Sequence, residues 1–298
     1  MKAHPSTPVV AQVFAMAPLT DANIPKFFDA LAIMYSAFPA LNDGGFSGYG
    51  SWNHANYAPV FGTFTTGYQH ALAIFNTPVA SAQKLFAPTA AKLATYNGTS
   101  LFISTSYLSF PSYAAYYSAM SGGQSSVGQG GSSLTSRFLD KDALTKSIPN
   151  LKKALTTIGG PVGEFTVNNF CMVSGGQVAA DAADPNSGVN PAWRTAHVHQ
   201  IVARGWAPGT PVATQQSIMK DITYTKGAAL EALAPNTGSY MNEGNRNDPN
   251  FLKNFYGRSL AKLEDAKCRY DPNNLFYCPT CVGSNDWRED STGRLCPA

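Results

Sequence analysis

Apolar positions in the first 230 residues switch repeatedly between two periods. Residues 9–17 form a run rich in β-branched and apolar side chains that ends at Pro18, which predicts a strand. Residues 24–38 then place apolar side chains three and four positions apart, the spacing of one helix face. Asp21 stands where it would cap this helix, and Pro39 is expected to end it. The chain therefore begins with a strand followed by an amphipathic helix.

The same alternation continues as far as residue 233. Further strands are predicted at residues 58–66, 100–110, 131–138, 163–174 and 195–206, and helices at 80–93, 113–117, 141–158 and 214–233. Residues 122–133 are rich in Gly and Ser and predict a loop. No glycine-rich phosphate loop follows any predicted strand, so a doubly wound nucleotide fold is disfavoured. The pattern predicts an α+β fold, in which helices cover one side of an antiparallel sheet.

The amino-acid composition of the sequence changes at Pro235. Asn, Asp, Pro and aromatic residues dominate from there on, with one helix predicted within residues 248–270 and ended by Asp271 and Pro272. We therefore expect two parts: an α+β domain at residues 1–234, which we interpret as substrate-binding, and a loop-rich C-terminal segment at residues 235–298.

Composition and charge exclude several classes of partner. Charged residues make up 13% of the chain, the formal net charge is +3, and Lys and Arg are scattered, so no basic stripe could follow a nucleic acid backbone. Apolar runs are far shorter than a membrane span, and no signal peptide is recognisable at Met1. Localisation stays open: secreted if a signal precedes Met1, cytoplasmic if Met1 is the true start.

Four of the five cysteines lie close together near the C-terminus, between Cys268 and Cys296. The spacing of Cys278 and Cys281 would suit zinc or redox chemistry, but a zinc site needs a second ligand pair, and the five histidines lie elsewhere in the sequence. A structural disulfide or buried thiols are the favoured interpretation, and no metal site is expected.

Five short motifs in the last sixty residues carry the most information about function. In order they are residues 240–243 (Tyr-Met-Asn-Glu), 255–257 (Phe-Tyr-Gly), 267–272 (Lys-Cys-Arg-Tyr-Asp-Pro), 275–278 (Leu-Phe-Tyr-Cys) and 282–287 (Val-Gly-Ser-Asn-Asp-Trp). In this order and spacing they resemble the C-terminal signature of berberine-bridge-enzyme-like FAD-linked oxidases of the vanillyl-alcohol-oxidase superfamily, in their fungal form. Residues 133–138, with Arg137, and residues 190–194 are also similar to patterns of that family.

The resemblance implies a role for the segment at 240–243. In the family this segment runs beside the isoalloxazine ring of FAD, so Tyr240 and Asn242 become candidate cofactor-binding residues. Glu243 stands where relatives carry a catalytic base, and a carboxylate there could remove a substrate proton. Gly244 and Asn245 depart from the Ala-Asp that usually follows in fungal members, so one acidic residue is absent.

The flavin domain expected from this resemblance is not recognisable in the chain. No G-x-G-x-x-G motif occurs, and the nearest glycines lie in the Gly/Ser-rich stretch. We therefore expect FAD to be held mainly by a domain missing from this chain, which could be a separate FAD-binding polypeptide. The implied reaction transfers a hydride from a small natural product or sugar to flavin and then passes electrons to dioxygen.

Candidate substrate-binding residues lie on the predicted strands. Tyr57, Phe61, Phe102 and Tyr107 could line an apolar pocket on one face of the sheet. His197 and His199 alternate on a predicted strand and would point to one face. As metal ligands they would need a third donor, so a polar pair lining the substrate face is favoured.

Two further interpretations remain open. The chain could be a flavin-free relative that serves as a binding protein, isomerase or cyclase and holds a reactive intermediate in one geometry. It could also be an inactive pseudoenzyme, whose exposed apolar surface would cause aggregation or obligate association.

Overall fold

A seven-stranded sheet forms the centre of the molecule in the computed structural model, which describes residues 5–58, 63–120, 131–184, 186–290 and 292–298. Its strands are β1 (Val9–Pro18), β2 (Ser47–Ala58), β3 (Thr63–Phe75), β4 (Leu101–Phe110), β5 (Ser132–Asp140), β6 (Thr166–Met172) and β7 (Ala196–Gly205). The order across the sheet is β4-β1-β3-β2-β6-β7-β5, and every neighbouring pair is antiparallel. The predicted antiparallel sheet is thus confirmed.

Helices cover one face of this sheet. The helices of the chain are α1 (Ile24–Asp43), α2 (Val79–Ala94), α3 (Tyr113–Met120), α4 (Lys141–Thr145), α5 (Ile148–Gly159), α6 (Gly176–Ala180), α7 (Val212–Asp221), α8 (Ala228–Leu233), α9 (Phe251–Tyr256) and α10 (Leu260–Tyr270). Of these, α1, α2, α4, α5 and α8 contribute buried residues to the core on the covered face. Phe14 and Met16 of β1 pack with Phe38 of α1 and Phe86 of α2 in a single core. Because side chains alternate along a strand, Val13 and Ala15 project to the other side.

We call that other side the open face. The short helix α3 lies at this face, where Tyr113 stacks on Phe75 with ring centroids 6.1 Å apart. No helix in the described part of the chain is long and apolar enough to cross a membrane.

Two expectations for the first helix were wrong. The helix continues through Pro39 to Asp43, since Phe38, Pro39 and Leu41 are all buried and their packing outweighs the cost of an internal proline. Asp21 does not cap it: Asp21 begins a short 3₁₀ turn, and Asn23 is the N-cap, without a capping side-chain hydrogen bond.

Two long predicted helices are each interrupted. The helix expected at 141–158 divides into α4 and α5, because the Ser147 hydroxyl accepts a hydrogen bond from the Asn150 backbone N–H and starts a new helix there. The helix expected at 214–233 contains a π-helical turn, Ile222–Gly227, between α7 and α8. The strand expected at 58–66 corresponds to the adjoining ends of β2 and β3, with residues 59–62 outside the described part.

The C-terminal part adds two helices and a small ribbon. The single helix expected within 248–270 is two, α9 and α10, joined by a 3₁₀ turn at Gly257–Ser259. Strands β8 (Trp287–Glu289) and β9 (Leu295–Pro297) pair near the end, and Cys278 and Cys281 form a disulfide. The division at residues 234/235 stays a prediction.

Candidate functional site

A cavity of about 590 Å³ lies on the open face of the sheet. Small and uncharged side chains of four neighbouring strands form its floor: Val13, Ala15, Ser51, Gln69, Ala71, Asn169 and Cys171. Strand register explains this grouping, since Ser51 pairs with both Gln69 and Asn169, and paired residues project to the same face. Tyr49 and Glu243 complete the lining, together with Ile201.

A larger trough, of about 680 Å³, lies elsewhere, between residues 182–194 and 258–263. Arg194, Arg258 and Lys262 line it, but it contains none of the residues that the sequence singled out as catalytic, cofactor-binding or substrate-binding. The open-face cavity contains Glu243 and is therefore the candidate site.

The turn that carries Glu243 is tied to the edge of the sheet by backbone and hydroxyl hydrogen bonds. The Phe138 backbone N–H donates to the Gly238 carbonyl at 2.8 Å, and the Ser239 hydroxyl donates to the Ser136 carbonyl at 2.5 Å. Gly238 is required here, because a Cβ would overlap the Asn254 carbonyl oxygen. A 3₁₀ turn, Met241–Glu243, follows directly and aims Glu243 at the cavity.

Arg137 holds the chain immediately before this turn. Its side chain is buried, and its guanidinium donates to the Ala234 carbonyl at 2.8 and 3.1 Å, to Thr237 Oγ1 at 3.2 Å and to Asn254 Oδ1 at 3.0 Å. Burial lowers the pKa of Arg137, and the nearby carboxylates act against that shift. This arginine therefore fixes backbone rather than lining the cavity.

Asn190 secures the same segment from the other side. Its buried amide donates to the carbonyls of Ser239 at 3.1 Å and Asn254 at 2.9 Å, and its oxygen accepts from the Ala192 N–H at 3.0 Å. The last bond caps a short turn, Pro191–Arg194, which places Trp193 beside Tyr240 with ring centroids 5.7 Å apart. Two family-like motifs thus meet at the turn that carries Glu243.

Glu243 contacts His199 directly. Glu243 Oε2 lies 3.1 Å from His199 Nδ1, and the two side chains differ sharply in exposure, 39% for Glu243 and 1% for His199. The imidazole packs against the rings of Phe138, Trp193 and Tyr240, with centroid distances of 4.9, 5.5 and 6.0 Å. The carboxylate is therefore anchored by a buried group on one side and reaches the cavity on the other.

Phenol and thiol groups beside Glu243 stay neutral at pH 7. Burial, and next the neighbouring Glu243, raise the pKa of Cys171 to about 11. Burial, followed by Cys171, Tyr113 and Glu243, raises the pKa of Tyr49. Glu243 is the one carboxylic side chain in the described lining of this cavity.

The structure brings some of the predicted site residues together. Glu243 lines the cavity and contacts His199, and Tyr240 packs on His199. Asn242 is exposed, and its amide donates to the Tyr240 hydroxyl at 2.6 Å. These four residues form one cluster at the edge of the open face.

Other predicted residues lie apart from this cluster. His197 Nδ1 is 3.2 Å from Asn42 Oδ1, at the C-terminal end of α1, so the two histidines have different neighbours. Phe102 is exposed on the outer strand β4, whereas Tyr107 projects to the helix-covered side and accepts a hydrogen bond from Gln12 at 2.9 Å.

Two predicted substrate residues remain without a described environment. The backbone of Tyr57 belongs to β2, and its side chain lies outside what the structure describes. Phe61 falls in the gap at residues 59–62.

Several residues of the cavity were not predicted from the sequence. Tyr49 and Ser51 lie on β2, a strand that was predicted only at its last residue, and Gln69, Asn169 and Cys171 have no motif of their own. The alternation of Tyr49 and Ser51 with glycines was the available signal. In the described residues no group of three or more His, Cys, Asp or Glu side chains could hold a metal ion.

Comparison with known proteins gives a consistent result. The family model described as "Berberine and berberine like" matches residues 239–283. The FAD-linked oxidoreductase hmp9 of Hypomyces subiculosus is 40% identical over 298 residues, which is 99% of this chain and 47% of that protein. The FAD-linked oxidoreductase apf9 of Gibberella fujikuroi is 33% identical, over 93% of this chain and 47% of its own length.

A solved structure agrees with these sequence matches. The VAO-type flavoprotein MtVAO713 of Myceliophthora thermophila C1 superposes with a TM-score of 0.93 at 36% identity, over 100% of this chain and 52% of that one. The carbohydrate oxidase of Microdochium nivale shares the fold alone, with a TM-score of 0.60 at 15% identity over 93% of this chain and 56% of its own.

The chain spans about half the length of the curated relatives that it matches. The family signature, the relatives and the shared fold agree with one another. The chain belongs to the berberine-bridge-enzyme-like FAD-linked oxidoreductases of the vanillyl-alcohol-oxidase type.

Proposed function

We propose that this chain is the substrate-binding part of an FAD-linked oxidoreductase that oxidises a small natural product or sugar, with Glu243 as the base. One observation carries the proposal: Glu243 is the carboxylic side chain of a cavity of about 590 Å³ and contacts a buried histidine. A general base must lie where the substrate binds and must keep its orientation, and the place of Glu243 in the cavity lining and its contact with His199 support this role.

The residues of the open face suit the ring of FAD and not its phosphates. Small side chains such as Ala15 and Ala71 leave a shallow, uncharged floor over which a flat ring can lie. No Lys or Arg occurs in the described lining to meet a pyrophosphate. Bound FAD would supply the hydride acceptor at N5 and pass electrons to dioxygen.

Because the cavity suits the ring of FAD but not its phosphates, we infer that another stretch of protein holds the adenine and phosphate groups. The relatives are about twice as long as the part that this chain matches, so they have room for such a domain. In this protein it would be a separate polypeptide or a part of the protein outside this chain. Tyr240 and Asn242 would lie beside the ring, since they adjoin Glu243 on the same turn.

The chain's own residues would perform three tasks during oxidation. Glu243 takes the proton that leaves a substrate hydroxyl or carbon acid. Ser51, Gln69 and Asn169 orient the substrate through neutral hydrogen bonds, which suits hydroxyl-bearing molecules. Tyr49 stays a neutral phenol, because its pKa is raised, and its ring forms one wall of the cavity.

A reconstitution experiment tests this proposal. The 298-residue chain is co-expressed with the part of the Hypomyces subiculosus relative that this chain does not match. The visible spectrum and oxygen uptake of the purified complex are then recorded with a panel of sugars and phenolic alcohols. We expect a yellow complex that consumes oxygen with at least one substrate. Glu243→Gln should keep the colour and lose on the order of 100-fold or more in turnover, because a general base contributes 10²–10⁴-fold.

Glu264→Gln is the matched control. Glu264 is an exposed carboxylate on α10, away from the open-face cavity, so turnover should not change. A colourless chain that binds a metabolite tightly and consumes no oxygen would instead support the flavin-free binding protein or isomerase. Full activity in Glu243→Gln would remove Glu243 from the mechanism.

A further inference from the structure

We propose that His199 is a positioning residue that holds the Glu243 carboxylate as a neutral donor protonated on Nδ1, and that it does not act as a proton carrier. The proposal rests on the proposed role of Glu243 as base. It follows from the contact between the two side chains, the packing of the imidazole and the surroundings of its second nitrogen.

The contact defines which nitrogen carries the proton. His199 Nδ1 lies 3.1 Å from Glu243 Oε2. A carboxylate only accepts hydrogen bonds, so Nδ1 must be the donor for this contact to be favourable. The ring partner of a histidine sets its tautomer in this way.

The second nitrogen explains why the imidazole should carry a single proton. His199 Nε2 is buried and has no hydrogen-bond partner within the described residues. A proton on Nε2 would be a buried donor without an acceptor, and leaving a buried donor unpaired is costly. An imidazolium would have such a proton, and so would the Nε2–H tautomer, in which the lone pair of Nδ1 would also face the Glu243 carboxylate.

Aromatic packing opposes a flip of the ring, which would put Cδ2 in the place of Nδ1 beside Glu243. Phe138 lies opposite His199 in the pairing of β5 with β7, and its ring centroid is 4.9 Å from the imidazole. Trp193 and Tyr240 pack on the ring as well, at 5.5 and 6.0 Å. A ring flip would require these three side chains to move, so the Nδ1 edge stays turned toward Glu243.

The consequence for catalysis is geometric. One carboxylate oxygen of Glu243 is occupied by a fixed donor, which limits the side chain to orientations in which the other oxygen points away from His199. Glu243 is 39% exposed and lines the open-face cavity, so that direction leads to the substrate. In this pair, Glu243 would act as the base and His199 would fix the orientation of its carboxylate.

Nitrogen NMR of the 298-residue chain tests the tautomer without any cofactor. The protein is labelled with ¹⁵N-histidine, and long-range ¹H–¹⁵N correlations are recorded at pH 8, where each ring shows which nitrogen is protonated. The His199 signals are assigned by their loss in His199→Phe and in His199→Asn, so that one variant that fails to fold does not end the test. We expect the Nδ1–H pattern for His199.

Variants of the partner supply the control. Glu243→Gln keeps an oxygen acceptor and should retain the Nδ1–H pattern, whereas Glu243→Leu removes the acceptor and should shift the ring toward a mixture of tautomers. His197→Asn, which changes the histidine beside Asn42, should leave the His199 signals in place. An Nε2–H pattern, or two protonated nitrogens at pH 8, would refute the proposal.

Kinetics of the reconstituted complex separate this inference from the proposed function. His199→Phe should lower kcat on the order of 10- to 100-fold with little change in KM and an unchanged flavin spectrum, because the base is misplaced rather than removed. His199→Asn keeps an N–H donor and should recover part of the loss. Wild-type kcat in His199→Phe would refute positioning, while full activity in Glu243→Gln would refute the proposed base and leave the NMR result standing.

Discussion

Replacing Arg137 with methionine should release the segment that carries the candidate base. The guanidinium is buried and donates to the carbonyls of Ala234 and Pro235, to Thr237 and to Asn254. A hydrogen bond from a charged donor contributes about 1.5–3 kcal/mol, but removing the cation also removes the cost of burying it. With several buried acceptors left unpaired, we expect a net loss of about 3 kcal/mol in the free energy of unfolding.

Urea unfolding followed by circular dichroism measures that loss, and hydrogen exchange shows where it acts. Arg137→Met should speed exchange selectively at residues 234–243. Arg246→Met is the matched control: Arg246 is exposed and bonds to Glu289 at 2.9 Å, and an exposed pair contributes at most about 1 kcal/mol. If the two variants differ by less than about 1 kcal/mol, or exchange at 234–243 is unchanged, the assigned role of Arg137 is wrong.

Three further substitutions test the core and the turn. Tyr35→Phe should lower the free energy of unfolding in urea by about 1–3 kcal/mol. The Tyr35 hydroxyl accepts a hydrogen bond from Trp52 Nε1 at 2.9 Å and donates one to Gln200 Oε1 at 2.6 Å, and both partners are buried. A change below about 0.5 kcal/mol would contradict this. Gly238→Ala should lower Tm and disturb the neighbouring turn, because its Cβ overlaps a backbone oxygen; an unchanged Tm would show that the backbone yields easily. Burial lowers the pKa of His70 from 6.5 to about 3, so the unfolded chain binds the extra proton between these values, and stability falls as pH decreases below 6.5. His70→Gln should reduce the slope of the free energy of unfolding against pH by up to about 1.4 kcal/mol per pH unit. Urea unfolding at pH 7 and pH 5 measures this slope. Equal slopes in the wild type and the variant would argue against a neutral buried imidazole.

Elements with a clear apolar period were predictable from the sequence. Strand β4 and helix α2 lie within one residue of their predicted bounds, because their apolar positions are uninterrupted. Most of strand β2 was missed for a physical reason. Gly50 replaces an apolar side chain on its core face, where any Cβ would collide with the Phe170 ring, so the period of two disappears from the sequence while the strand persists.

The candidate site was predictable only in part. Glu243 and Tyr240 lie in a sequence motif, and His199 stood out as a histidine on a strand. Their contact depends on pairing and packing between segments that are distant in the sequence, and such long-range contacts cannot be predicted from one sequence. Tyr49 and Cys171 share the cavity through strand register alone, and register is set by long-range pairing.

The positions that carry the family resemblance have two different roles: some line the cavity, and others hold the backbone around it in place. Glu243 reaches the cavity, whereas Arg137 and Asn190 donate hydrogen bonds to the segment that carries it. A turn held by buried hydrogen bonds keeps its shape when the chemistry at its tip changes. A motif position outside the cavity can therefore be as necessary as the candidate base. Substitutions at Arg137 or Asn190 should impair every substrate equally, while substitutions on the cavity floor, such as Gln69, should change the preference between substrates.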